Sequence, residues 1–293
     1  MSLAQTKSYR RIALVLAMGL TGCGGGGSTS TNTAPTTIGI GTINYVSGVG
    51  ASQSVNPASG TSTTTSITST NTGRTYAISV YVPAAASTSQ TPLPVIYSAD
   101  GQYLFSDIVA ALQAIGTSAY VVSVNYIDSA ERSADYLLPG AHAYFEFLAN
   151  EMIPSIEAQY RIDSTKRTLF GYSYSGVFSM LAMFYDNPSN RIFSGIVSVD
   201  GSFFTDPVDI DALEAQTFAN SPQLPVALYM SCSPSQGSNP GNCDSALPLF
   251  SLIATQGFKG FSAAQFFDYL TANHSTVVSA SVQAAVSGLF GGH

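Results

Sequence analysis

Four apolar runs without polar alternation constrain the fold of this chain most: Pro94-Val95-Ile96-Tyr97, Tyr120-Val121-Val122-Ser123-Val124, Thr168-Leu169-Phe170 and Gly195-Ile196-Val197-Ser198-Val199. A strand with one wet face alternates apolar and polar residues, whereas a strand buried on both faces does not. Segments of helix length separate the runs, and alternating strand and helix implies an α/β fold: a mostly parallel central sheet with helices on both faces. Tyr76 to Val82 alternates as a half-buried strand that Pro83 ends, Pro225 to Met230 supplies a further strand, and Ala263 to Tyr269 is read as an edge strand. Helical spacing of Phe145, Phe147, Leu148, Met152, Ile153 and Ile156 predicts a helix over Pro139 to Tyr160, with Pro154 placed to kink it. Further helices are expected over Leu247 to Gly257 and Thr276 to Phe290. The segment Phe203 to Gln223 reads as a cap over a pocket or as another core-facing helix, the second being favoured.

The third run leads into the chain's most specific local pattern, Phe170-Gly171-Tyr172-Ser173-Tyr174-Ser175-Gly176-Val177. It reads as a strand ending in a sharp turn that lifts a serine above a sheet and opens a helix, with small residues two before and two after the serine where strand and helix cross. Gly171 and Ser175 hold those places; the second is more often glycine. With Ser175 as the nucleophile instead, branched Val177 would crowd the crossing. Without a base downstream, Ser173 would be no more than a helix cap.

The chain's 293 residues, 45% of them hydrophobic, suffice for one large domain. Only 9% are charged and the formal net charge is −7, which argues against a phosphate-binding surface and against nucleic acid as a partner. Lys7, Arg10 and Arg11 precede the apolar stretch Ile12 to Leu20, the order of a secretory signal peptide and too short for a membrane span. It ends in Leu20-Thr21-Gly22-Cys23, which resembles the bacterial lipobox. The resemblance implies residues 1–22 as a removed signal peptide, Cys23 as a lipidated N-terminus, and a lipid-anchored protein of the bacterial cell envelope. Residues 23–37, rich in Gly, Ser, Thr and Asn, form the expected tether, and 38–293 the domain, best defined over 74–290. Within it, a Ser/Thr-rich stretch from about Gly50 to Gly73 is read as loops with an irregular edge strand near Ile67. With Cys23 acylated, Cys232 and Cys243 remain as a pair expected to form a disulfide. Neither has metal-ligand spacing to a second Cys or His, so no metal site is expected.

A serine hydroxyl needs a base, and histidine is the usual one. In an α/β-hydrolase sheet the partners follow in the order serine, acid, histidine, which removes His142; His293 stands at the terminus, where a base is poorly held. His274, in the loop Thr271-Ala272-Asn273-His274-Ser275-Thr276, remains. Asp244 is the candidate acid, braced by the neighbouring Cys243; otherwise it caps the following helix and Ser173 and His274 work as a dyad. The backbone N–H groups of Tyr174 and Gln102 are the candidate oxyanion donors, the latter in Ser98-Ala99-Asp100-Gly101-Gln102, although a tight Asp-Gly turn accounts for the same residues.

Taken in order, Tyr76 to Pro83, the strand ending before Asp100-Gly101, Arg132-Ser133-Ala134-Asp135-Tyr136-Leu137-Leu138-Pro139, Glu151 to Asp163, the serine turn and Asn273-His274-Ser275 resemble the putative esterase family of the α/β-hydrolases. That group includes esterase D, siderophore esterases, some feruloyl esterases and the mycolyltransferases. The resemblance covers about Arg74 to Phe290 and implies carboxylic ester cleavage or acyl transfer by Ser173 and His274, without a cofactor, on a small-molecule, lipid or sugar ester. Two other readings stay open: an acyltransferase acting on envelope glycolipids or sugars, and a non-catalytic ligand-binding lipoprotein on the same scaffold. Arg132 and Asp135 are read as a pair on the rim or as a loop buttress.

Overall fold

The four apolar runs become adjacent strands in the middle of one ten-stranded sheet. A computed structural model describes residues 33–49, 54–56, 59–234 and 241–291; the signal peptide, Cys23, the tether as far as residue 32 and His293 lie outside them. In chain order the elements are β1 (Thr36–Ile38), β2 (Gly41–Val46), β3 (Gly60–Thr68), β4 (Thr75–Pro83), β5 (Leu93–Ser98), α1 (Gly101–Ala114), β6 (Tyr120–Asn125), α2 (Ser129–Tyr136), α3 (Ala141–Phe147), α4 (Ile153–Glu157), β7 (Ile162–Tyr172), α5 (Tyr174–Tyr185), β8 (Gly195–Val199), α6 (Pro207–Asn220), β9 (Ala227–Cys232), α7 (Cys243–Gln256), β10 (Ala263–Tyr269) and α8 (Val277–Phe290).

Across the sheet the strands run β1-β2-β10-β9-β8-β7-β5-β6-β4-β3. The pairs from β6 through β5, β7, β8, β9 and β10 to β2 are parallel, and antiparallel pairs close both ends. Two apolar layers follow from burial on both faces: Leu104, Ile108, Val282 and Val286 of α1 and α8 pack on one, and Phe147, Phe178, Leu181, Ile210 and Phe250 of α3, α5, α6 and α7 on the other. The chain leaves β5 through α1 on the first face and β7 through α5 on the second, although β5 and β7 are neighbours. Open α/β sheets bind their ligands at such a switch point, beyond the carboxyl ends of the strands.

Several expectations are corrected at the edges. Thr36 and Thr37, assigned to the tether, belong to β1 and pair with β2. The Ser/Thr-rich stretch contains a regular nine-residue strand, β3, whose register with β4 is unbroken from Gly60 to Thr68; its side chains are mostly exposed, so no apolar pattern marks it. Strand β10 is interior, because β2 covers the side that the sequence left open. The long helix is divided into α3, a π-helical turn over Leu148–Met152, and α4. Pro154 has no N–H for the carbonyl four residues back, which is where the hydrogen-bond register changes. Helix α6 buries Ile210, Glu214 and Thr217, as the core-facing reading of that segment expects, whereas Phe204, ahead of the helix, is exposed and lines the same cavity as Ser173.

Candidate active site

The turn after β7 has the geometry that its residues require. Ser173 sits at φ 59°, ψ −117°, a conformation that costs a non-glycine residue of order 1–3 kcal/mol and persists only when its surroundings fix it. They do: Ser173 N–H donates to Val199 O (3.1 Å), and Ser173 O accepts from Ser202 N (3.2 Å) and Val177 N (3.2 Å). Gly171 is obligatory, since a Cβ there would lie 1.8 Å from the Ser175 carbonyl oxygen. The Ser173 side chain is only 7% exposed, and Ser202 Oγ lies 3.4 Å from its Oγ. Both serines, His274 and Tyr174 line a cavity of about 860 Å³ at the carboxyl ends of the strands.

His274 follows β10 in the expected loop. The Tyr172 ring stacks on the imidazole, 4.8 Å between centroids at 26°, and Tyr172 Oη donates to His274 O at 2.9 Å. The carboxylate that meets the imidazole is Asp200, with Oδ2 2.6 Å from Nδ1. A carboxylate only accepts, so Nδ1 is the donor across that contact, and the tautomer it selects for a neutral imidazole carries its lone pair on Nε2. Asp200 is fully buried, at φ 47° just after β8. Its carboxylate also accepts Ser233 N–H (2.6 Å) and Ser233 Oγ–H (2.8 Å). Asn242 Nδ2 donates to Asp200 O (2.8 Å) and stands 3.2 Å from His274 Nδ1.

Asp244, the acid expected from the sequence, therefore does not face the imidazole. It lies in the first turn of α7, behind N-cap Asn242, its N–H directed at Gly241 O (3.4 Å). Helix α7 starts at Cys243, four residues before the predicted start, which turns Asp244 into a helix-opening residue. The expected disulfide is present: Cys232 and Cys243 are bonded, with Cα atoms 4.9 Å apart. It braces the acid, though not Asp244: Ser233 follows one cysteine, Asn242 precedes the other, and both hold Asp200. Asp268 approaches the two sulfurs (3.9 and 3.6 Å), which are committed to each other.

Of the two candidate oxyanion donors, Tyr174 opens α5 at the cavity wall. Gln102 lies outside the lining; its side-chain amide donates to Tyr126 O (2.8 Å) and accepts from Tyr126 N (3.2 Å). Arg132 pairs with Asp100, and Asp135 with Arg74 and Tyr76, so the two are not partners. Burial pushes the Asp100 carboxyl above its ordinary range against the pull of Arg132. His142 faces Glu146 and Tyr185, away from the cavity. Sequence reasoning missed Asp200, Ser233 and Asn242. A signal for the first exists: Asp200-Gly201 ends a fully buried run, as Asp100-Gly101 does.

Residues 69–239 match the family described as "Putative esterase". The chain belongs to that family. The siderophore triacetylfusarinine C esterase of Aspergillus fumigatus is 28% identical over 134 residues, 37% of this chain and 46% of the relative. The ferri-bacillibactin esterase of Bacillus subtilis is 28% identical over 138 residues, 36% of this chain and 47% of the relative. The chain thus spans about half the length of the curated relatives it matches. Among solved structures, an IroE-like serine hydrolase from Shewanella oneidensis superposes with a TM-score of 0.69 at 20% identity, covering 79% of this chain and 80% of the other. Siderophore hydrolase EstB from Aspergillus nidulans gives 0.66 at 19%, covering 78% and 94%. At these identities the superpositions establish the fold, that of the α/β-hydrolases.

Proposed function

We propose that this esterase-family chain is a serine hydrolase that cleaves carboxylic esters through an acyl-enzyme on Ser173. The 2.6 Å contact between Asp200 and His274, in the cavity that holds a serine at positive φ, carries the reading. Ser173 Oγ attacks the ester carbonyl while His274 Nε2 takes its proton, and Asp200 holds the imidazole in the required tautomer and stabilises the imidazolium. The N–H of Tyr174, at the cavity wall, is the first oxyanion donor, and the turn after β5 that carries Gly101 and Gln102 is the candidate source of the second. Collapse expels the alcohol with the proton from His274; water, deprotonated by the same imidazole, then releases the acid and restores the Ser173 hydroxyl. In the resting cavity the Ser173 hydroxyl meets that of Ser202 at 3.4 Å, and the proposed proton transfer requires it to turn to His274 Nε2 when a carbonyl enters.

The relatives named as siderophore esterases make an ester-linked siderophore the first substrate class to try. The signal-peptide and lipobox pattern supports a lipid-anchored envelope protein, and a disulfide beside the site suits an oxidising compartment. A fluorophosphonate probe is expected to label the wild-type chain on Ser173 and to leave a folded Ser173→Ala variant unlabelled; an unlabelled, folded wild type refutes the reading. An ester panel with and without a sugar acceptor separates hydrolysis from acyl transfer.

A further inference from the structure

The second small position of the serine turn, where glycine is usual, holds Ser175, and its hydroxyl is fully buried and engaged. Ser175 Oγ accepts Tyr172 N–H at 2.7 Å and lies 2.8 Å from Asp100 Oδ2 and 3.0 Å from Tyr172 O. One hydroxyl proton serves one of the two acceptors, and the shorter contact, to a buried carboxylate, takes it. Asp100 is itself without exposure and left-handed, at φ 55°, ψ 46°. It stands at the N-cap position of α1, with its side chain turned away from the helix amides, at the turn that carries Gly101 and Gln102. Arg132 Nε donates to Asp100 Oδ1 at 2.8 Å and Nη2 to Oδ2. Nη2 also reaches Tyr172 O at 3.3 Å. Asp100 N–H is closed by Tyr136 Oη at 3.2 Å.

These bonds join two loops that are far apart in sequence and must act on one atom. The residue before the nucleophile is held at both backbone polar atoms, its N–H by Ser175 and its carbonyl by Arg132. Asp100 links both to the neighbouring turn. We infer that Ser175, Asp100 and Arg132 are positioning residues that fix the spacing between the two halves of the oxyanion hole, the serine turn after β7 and the turn after β5. This rests on the hydrolase reading above. Arg132 borders the cavity, with its Nε and Nη2 engaged by both carboxylate oxygens of Asp100 and the rings of Tyr174, Tyr126 and Tyr136 lying 5.1, 5.6 and 5.7 Å from its central carbon. On this inference Arg132 is a strut between the two turns.

Two explanations of Ser175 predict opposite results. If it is present only because it is small, Ser175→Gly restores the more common residue and preserves turnover. If its hydroxyl is the tie, Ser175→Gly and Ser175→Ala both lower kcat of the folded enzyme by about 10–100-fold with KM within threefold, because an oxyanion donor out of place is felt in the transition state alone; the melting temperature also falls, since Tyr172 N–H and Asp100 lose a buried partner. The rate of fluorophosphonate inactivation falls in parallel with kcat. Asp100→Asn, which keeps the left-handed turn, is expected to add less than threefold to the loss in the Ser175→Ala background, as residues acting as one unit are not additive. Arg132→Lys, a point charge that cannot fork, lowers kcat on neutral and anionic esters alike.

A folded Ser175→Gly enzyme within twofold of wild-type kcat overturns the inference, as does an Arg132→Lys enzyme whose only defect is a higher KM for anionic esters. A wild type inert toward every ester and toward the fluorophosphonate refutes the hydrolase reading, and this inference with it.

Discussion

Replacing Asp200 by asparagine is the most discriminating perturbation of this site. Asparagine tolerates positive φ nearly as well as aspartate, so the backbone at φ 47° is kept and the change is confined to one group. The wild-type carboxylate faces three donors: Ser233 N–H at 2.6 Å, Ser233 Oγ–H at 2.8 Å and the imidazole Nδ1–H at 2.6 Å. An amide offers one oxygen. Ser233 N–H is fixed by the backbone and claims it, which turns the NH2 toward Ser233 Oγ and His274. The hydroxyl can rotate and accept, but the imidazole can only move its proton to Nε2, the tautomer that cannot receive the Ser173 proton. Loss of the correct tautomer and of the charge that stabilises the imidazolium is expected to lower kcat by about 10³–10⁴-fold. KM and the amount of folded protein stay near wild type. The assay is hydrolysis of a p-nitrophenyl ester, with Asp244→Asn as the paired control, expected within twofold of wild type. Asp200→Asn activity within tenfold of wild type, or an equal loss in Asp244→Asn, refutes the assignment of the acid.

Three further outcomes test the surroundings. Tyr172→Phe keeps the ring on the imidazole and removes the hydrogen bond to His274 O; about 1 kcal/mol of positioning is lost, read as a roughly fivefold drop in kcat. Cys232→Ser with Cys243→Ser frees Ser233 and Asn242 together, and chemical denaturation is expected to show about 3 kcal/mol less stability, with at least a tenfold fall in kcat that the same pair of changes does not add to an Asp200→Asn enzyme. Burial, reinforced by Asp211, pushes the Glu214 carboxyl up to about 7. The folded state therefore prefers the protonated form, and the stability this contributes is complete below the ordinary value of 4.5 and lost as pH rises through 7. The loss is worth about 3 kcal/mol; thermal melts of wild type and Glu214→Gln are expected to converge near pH 4 and to separate by pH 8, the variant being the more stable.

Much of the central sheet was legible because its strands are buried on both faces: Gly195 to Val199 is bounded in the structure as in the sequence. What escaped notice lacked such a cause. Strand β3 is stabilised by its backbone ladder to β4, and a ladder leaves no mark in the side chains. Ser173 and His274 could be found because few residues compete for their roles: one serine stands in a turn of the right shape, and two of the three histidines are eliminated by position. The acid had no such filter. Asp200 and Asp244 both fall between Ser173 and His274 in chain order, so the order of residues cannot separate them.

Burial and donors separate them, and both depend on tertiary structure. Strands β8, β9 and β10 are consecutive in the sheet, so a carboxylate at the end of β8 and one beyond β9 are each within reach of a histidine loop that follows β10. The end of β9 carries Ser233, whose N–H and hydroxyl both point across to β8. An ionised group without exposure needs such donors, since burying it unpaired costs several kcal/mol. A serine beyond β9 is therefore the complement of an aspartate beyond β8, and neither residue is informative without the other. The disulfide fits the same division of labour. It was anticipated as a brace for an acid beside Cys243, and it serves instead to hold the two donors, Ser233 and Asn242, against an acid that comes from the neighbouring strand.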